Sequence, residues 1–171
     1  MFEGGHRLRA LEPADAAQLY GWENRPEDWW VGARLAPIAH EALLRYASTD
    51  TDPFAEGSVR LVLEAPDGTA VGAVDLYAID ARSGKAGVGI LVDARRRGEG
   101  HGAAGLRLLT DYAAGHLGLR TLFAEVPAGH TASLALFRSA GFEDRGVWKA
   151  WVRNGTAFHD VHLLQWMPTA P

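Results

Sequence analysis

The stretch from Gly89 to Gly102, an apolar run that breaks into Arg95-Arg96-Arg97-Gly98-Glu99-Gly100-His101-Gly102, constrains the fold more than any other part of the chain. Ile90, Leu91 and Val92 read as the end of a buried strand. Leu106, Leu109 and Ala113 recur at helical spacing and predict a helix from about Gly100 to His116, with Gly118 placed to cap its end. Between strand and helix, glycines let a ligand approach the backbone without side-chain obstruction. The free N–H groups at a helix start, with the positive end of its dipole, make an anion site. Three arginines beside it add charge and oriented donors. These residues read as a phosphate or pyrophosphate binder. A tight loop that needs glycine for its own geometry accounts for Gly98 but not for three alternating glycines after three arginines.

The pattern on either side fills in one mixed sheet. Leu8 to Leu11 reads as a strand ended by Pro13, Asp15 to Trp22 as a helix and Asn24 to Pro37 as irregular. A second helix is expected from about Ile38 to Ala47, then a polar loop from Thr49 to Gly57. Val59, Leu61 and Leu63 alternate with other residues, Pro66-Asp67-Gly68-Thr69 turns, and Val71 to Ile79 forms the return strand. Arg82 to Lys85 turns again into a strand from Ala86 to Val92. Gly87 and Gly89 are costly inside it and point to a bulge or to a close approach to the backbone. Leu119 to Val126 reads as a strand and His130 to Ala140 as a short helix closed by Gly141. Val147 to Val152 and Ala157 to Trp166 read as a hairpin turning on Asn154-Gly155. The order β-α-α-β-β-β-α-β-α-β-β describes a single α/β domain over residues 1–171, a mixed and mostly antiparallel central sheet flanked by helices.

Composition narrows the function. At 171 residues, 47% of them hydrophobic, the chain can bury a core without staples. The absence of Cys excludes disulfides, thiolate metal sites and a cysteine nucleophile. With no apolar stretch between Met1 and Arg9, a cytoplasmic location is expected. No run of about 18 apolar residues offers a membrane span. A net charge of −4 argues against nucleic acid or an anionic membrane as partner. Two other nucleotide motifs compete for the glycine loop. A Walker-type loop needs a Gly-Lys-Ser/Thr ending, which is missing. Gly100-His101-Gly102-Ala103-Ala104-Gly105 does satisfy the dinucleotide pattern, with Glu125 about 20 residues on. Against it, the strands before the loop meander, and too little chain follows for a doubly wound sheet.

Arg97-Gly98-Glu99-Gly100-His101-Gly102 resembles the R/Q-x-x-G-x-G/A acyl-CoA loop of the GNAT N-acetyltransferase superfamily. It also stands in that family's order, before a long helix, a strand and a short helix. Ala132-Ser133 through Leu136-Phe137 to Ala140-Gly141-Phe142 resembles the family's N-x-A-S-x-x-L-Y-x-x-x-G-F stretch. The C-terminal hairpin, Trp151 to Trp166, resembles the branch of spermidine and ribosomal-protein N-terminal acetyltransferases. The resemblance implies an acetyltransferase with acetyl-CoA as co-substrate and a primary amine as acceptor: a polyamine, a protein N-terminus or a small molecule. It implies that the backbone of Ile90, Leu91 and Val92 pairs with the pantetheine arm. The amides from Arg97 through Gly98, Gly100, His101 and Gly102 to Ala103 would then hold the pyrophosphate. The amine would enter from the opposite side of the sheet and attack the thioester directly. A base, oxyanion donors and an acid for the leaving thiolate are then required. An idle acyl-CoA-binding module and a nicotinamide dinucleotide enzyme are the alternatives, and a homodimer is open to each.

Two positions depart from the family pattern. His130 stands where the family has Asn, and Phe137 where it often has the Tyr that acts as general acid. A phenyl ring donates no proton, so Ser133 and His130 are the nearest donors along the helix. Ser133 also reads as an ordinary first-turn residue, and His130 as a cap or an exposed side chain. Glu125, near the end of its strand, is the candidate base, or else a solvent-facing carboxylate; Asp75, mid-strand, must face solvent, pair or function. Trp30 in the first long loop and Trp151 on the hairpin fall in the regions that wall the acceptor pocket in this family. No metal is expected, because neighbours in His159-Asp160-Val161-His162 point to opposite faces of a strand.

Overall fold

Alternating apolar residues from Val59 to Val92 fold as the centre of an eight-stranded sheet in the computed structural model, which describes residues 2–32, 36–49 and 52–168. Strands β1 (Phe2–Glu3), β2 (His6–Ala10), β3 (Val59–Glu64), β4 (Ala70–Asp80) and β5 (Lys85–Val92) pair in sequence order, all antiparallel. β6 (Thr121–Pro127) joins β5 in parallel, and then pairs antiparallel with β8 (Ala157–Trp166), whose other edge carries β7 (Glu143–Asn154). The order across the sheet is β1-β2-β3-β4-β5-β6-β8-β7. A doubly wound parallel sheet, which the dinucleotide reading requires, is therefore not what this chain builds.

Helices cover both faces. On one, α1 (Ala16–Glu23) and α2 (His40–Ala47) bury Ala16, Leu19, Trp22 and Leu43 against Ala73 of β4. On the other, α4 (His101–Asp111) and α5 (Thr131–Ser139) bury Leu106, Leu109, Leu134 and Phe137 against Leu63, Val74, Leu76, Val88 and Ala124. Leu106 and Leu109 are fully buried, each contributing about 1.5–3 kcal/mol. Gly105 lets α4 lie close to the sheet, since a Cβ there would fall 2.9 Å from Leu63 Cδ2.

Several boundaries differ from those expected. The strand expected from Leu8 to Leu11 is β2, which begins two residues earlier at His6 and is preceded by the short β1, because it pairs through polar residues that carry no apolar signal. The irregular first loop contains a 3-10 helix, Pro26–Val31; its Ala33 to Leu35 lie outside the described residues. The polar loop holds a one-turn helix α3 (Pro53–Glu56), because the Asp52 carboxylate accepts from the N–H groups of Phe54 and Ala55 at 2.8 and 3.1 Å. Asp50 and Thr51 of that loop are likewise outside the described residues. The long helix changes at Tyr112–His116 to a π turn before Gly118 at φ 67. β7 starts at Glu143, four residues before Val147, since its exposed first residues have no buried face to betray them.

The two costly glycines have a steric cause. A Cβ at Gly87 would lie 2.3 Å from Cε2 and Cζ of Tyr77, and one at Gly89 3.2 Å from Asp75 Oδ2. The register is regular at both, so it is close approach and not a bulge that requires them. The bulge lies opposite, between Tyr77 and Asp80 of β4, where Ala78 is held at φ 48.

Candidate active site

β5 and β6 are paired only at Lys85↔Thr121, Ala86↔Leu122 and Gly87↔Phe123. Beyond that point they part: β5 stays with β4 and β6 with β8, leaving a fork in the middle of the sheet. Each prong keeps one hydrogen-bonded neighbour, so the inner edge of β5 is free to pair with an extended, amide-bearing ligand arm. A cleft of about 1330 Å³ runs through the fork. Ile90, Gly102, Ala103 and Ser133 line it on the α4/α5 side, and Trp22, Tyr46, Arg60, Asp75 and Tyr77 on the α1/α2 side.

The glycine loop closes one end of this cleft. Asp93, buried at the end of β5, accepts from the N–H of Arg95 at 3.0 Å and so starts a short 3-10 turn, Ala94–Arg96. The Arg95 guanidinium holds the Asp93 carboxyl well below the usual carboxylate range. Gly98 and Gly100 then take φ 86 and φ 85, in the left-handed region that favours glycine. Ala104 makes the first helical bond, to Gly100 O at 3.2 Å, so the N–H groups of His101, Gly102 and Ala103 precede the α4 ladder. The three arginines are each tied to a carboxylate: Arg95 to Asp93 (2.8 Å), Arg96 to Glu99 (2.8 Å) and Arg97 to Asp28 (2.9 Å). Arg97 thereby straps the glycine loop to the 3-10 helix of the first loop. The His101 side chain turns inward, its Nδ1 2.8 Å from Nε2 of His6, while its backbone N–H stands at the start of α4.

Every sequence-derived cofactor residue, Ile90, Leu91, Val92, Arg97, Gly98, Gly100, His101, Gly102 and Ala103, borders the cleft, as do Glu125, His130 and Ser133. Glu125 is exposed on the β6 prong, beyond the last β5–β6 pair. His130 is the N-cap of α5, but its ring makes no capping hydrogen bond; it is half-buried and lies 6.2 Å from the Trp30 ring. Burial, and then the Arg97 charge, lower its pKa against the opposing pull of Asp28, which favours the neutral imidazole. Trp30 also packs on His159 of β8 at 5.5 Å, so the first loop and the C-terminal hairpin do meet over the cleft. Trp151 stands apart: its ring packs at a tilt against Trp148, with centroids 4.4 Å apart, and the residue is 56% exposed and does not border the cleft.

Phe137 is 2% exposed, with its ring edge-on to Phe142 at 5.0 Å, while its neighbour Leu136 borders the cleft. Phe137→Leu is expected to lower thermal stability through packing and leave kcat within about tenfold, against the 10²–10⁴-fold typical of a lost general acid. A thermal melt with steady-state kinetics checks it; a loss of kcat beyond that range with the fold intact would contradict it. Ser133→Ala is expected to cost more kcat than Phe137→Leu, and full activity in Ser133→Ala would leave water as the proton source.

Sequence reading did not assign Arg60, Tyr46 or Tyr77 to the site. Arg60 of β3 lies directly across from Asp75 of β4, donating from Nε at 2.6 Å and from Nη2 at 3.1 Å, and its Nη1 donates to Glu23. Burial opposes the Arg60 charge, but Asp75 and Glu23 outweigh it and raise the pKa. The mid-strand carboxylate of Asp75 is thus a paired one. Its signal, an Arg in the facing strand, is readable only once the register is known.

The model of the acetyltransferase (GNAT) domain matches residues 6–143. The chain belongs to the GNAT acetyltransferase family. Among solved structures, this GNAT chain is similar to spermidine N-acetyltransferase from Vibrio cholerae in complex with CoA and spermine, at 19% identity over 96% of each chain with a TM-score of 0.83. A chimera of spermidine N-acetyltransferase SpeG from Vibrio cholerae and hSSAT gives 18% identity over 96% of each chain and a TM-score of 0.81. A dodecameric structure of the Vibrio cholerae enzyme in an intermediate state gives 19% identity over 96% of this chain and 95% of that one, with a TM-score of 0.77. At these identities the likeness is one of fold. None of the curated proteins compared matches the chain significantly. Among the described residues no helix is long and apolar enough to cross a membrane.

Proposed function

We propose that this GNAT protein transfers an acetyl group from acetyl-CoA to a primary amine by direct attack. The observation that carries the proposal is the fork between β5 and β6, opening beside the amides at the start of α4, which precede its first helical bond. An extended arm lies along β5, a pyrophosphate on the N–H groups of His101, Gly102 and Ala103, and the thioester falls in the fork. Residues from both faces of the sheet reach that point, as two substrates arriving from opposite sides require. Glu125 takes the ammonium's proton, neutral His130 is at hand to relay it, and Ser133 stands on the thiolate's side. The Vibrio cholerae structure with CoA and spermine supports the co-substrate and places polyamines among acceptors to test, beside peptide N-termini and small amines.

CoA and acetyl-CoA are expected to raise the melting temperature, because a ligand that binds only the native state stabilises it. NADH is expected to leave it unchanged. A shift with NADH and none with CoA would overturn the assignment.

Trp30, packed on His130 and His159, forms the acceptor wall. Trp30→Ala should raise the acceptor's KM about tenfold or more, as loss of a buried aromatic contact does, and leave that of acetyl-CoA within about twofold. Trp151→Ala, outside the cleft, should leave both near wild type. Equal KM values for Trp30→Ala and wild type, measured with any amine that is turned over, would remove Trp30 from the wall.

A further inference from the structure

Tyr77 occupies the point where the fork opens. Its partner across β4 and β5 is Gly87, and Gly87 pairs in turn with Phe123 of β6, the last contact between the parallel strands. With no side chain on Gly87, the ring crosses over β5: Cε2 and Cζ, the carbon that bears the hydroxyl, lie 2.3 Å from where a Cβ would stand. The ring then meets Phe123 edge-on, with centroids 5.8 Å apart. The phenol is therefore carried from β4 across β5 to the seam, on the face shared with Asp75 and Glu125. Bulges next to active sites serve to re-aim a side chain. The β4 bulge begins at Tyr77, and the next residue, Ala78, is held in the left-handed region at φ 48, a strain seldom kept without purpose. Tyr77 borders the cleft and is 37% exposed, with no hydrogen-bond partner for its hydroxyl among the described residues.

We propose that Tyr77 is a catalytic residue whose hydroxyl donates a hydrogen bond to the thioester oxygen as negative charge develops there, an assignment that rests on acyl transfer taking place in the fork. The amine lone pair forms the C–N bond while the carbonyl π pair moves onto oxygen, facing the phenol. When that pair returns, the C–S bond breaks and its electrons leave with sulfur. Of the two protons the ammonium loses, the first goes to Glu125 and on to solvent before attack. The second leaves the nitrogen after attack and reaches the thiolate through the Ser133 hydroxyl or water, each of which regains a proton as it gives one. Tyr77 begins and ends neutral. Burial, then Glu125 and Asp75, push its pKa up to about 12, so it stays protonated at any working pH. It is correspondingly a poor source of a proton for a thiolate, whose ordinary pKa is about 8.5, and a good fixed donor.

Tyr77→Phe keeps the ring over Gly87 and removes only the donor. Its kcat should fall about 10²-fold, the effect of losing one oxyanion donor. Calorimetry should show CoA affinity unchanged and acetyl-CoA affinity weakened about 2–10-fold, the worth of one neutral hydrogen bond to the carbonyl. Thiol release is followed with acetyl-CoA and spermidine, an alanyl peptide or tyramine, whichever the wild type accepts. A wild type that turns over while Tyr77→Phe stays within threefold in kcat overturns the role of Tyr77 alone. A wild type that neither binds CoA nor releases thiol defeats acyl transfer itself and this assignment with it.

Discussion

Gly100→Asp is expected to abolish CoA binding without harming the fold. Gly100 is the N-cap of α4 at φ 85, and nothing lies within 4 Å of a Cβ added there. Asp visits the left-handed region at modest cost, and as an N-cap it accepts from the same N–H groups a pyrophosphate would use. The carboxylate therefore both occupies the anion site and repels the ligand, while compensating the helix dipole. CoA affinity should fall at least about 100-fold, roughly 2.7 kcal/mol, with the melting temperature of the free protein close to wild type. Gly100→Ala separates charge from strain. It carries the left-handed cost and no charge, so it should melt lower and keep CoA affinity within about tenfold. Tight CoA binding by Gly100→Asp, measured by calorimetry, would mean that the phosphates sit elsewhere.

The second large effect is on stability. Arg60→Met should cost about 3 kcal/mol, because it leaves the carboxylates of Asp75 and Glu23 without their shared cation in a poorly hydrated wall. The side chains concerned are 19% exposed for Arg60, 22% for Asp75 and 11% for Glu23, so solvent screening relieves little of this. The double variant Arg60→Met, Asp75→Asn should recover a substantial part, since the Asp75 charge that Arg60 offsets across the strands is then gone. Urea unfolding followed by fluorescence gives both numbers. A loss under about 1 kcal/mol for Arg60→Met would mean that the ion cluster is a surface feature of the usual small worth.

Local patterns made much of this protein legible. The strand, glycine loop and helix from Ala86 onward carry their geometry in adjacent residues, so the turn from β5 into α4 is legible without the rest of the fold. The hairpin on Asn154-Gly155 was equally plain for the same reason. The fork was not readable from spacing alone, because β5 and β6 part only when β6 is claimed by β8, some 35 residues further along the chain. Arg60 and Asp75 face each other through strand register, which no local pattern encodes. Gly87 did announce that something approaches the backbone there; what approaches is Tyr77, a residue its own strand gave no reason to single out. Trp151 shows the opposite case, a large aromatic whose place on the hairpin suggested the pocket but whose side chain packs on Trp148, outside the cleft.

Amine-dependent release of free thiol from acetyl-CoA, with the acetylated product identified by mass spectrometry, tests the central claim most directly. Wild-type protein should show saturable release that requires both substrates with at least one of a polyamine, a peptide N-terminus and a small primary amine, and Gly100→Asp should show none. Tight CoA binding with no amine-dependent release across that panel would contradict it and make the chain an acyl-CoA-binding module.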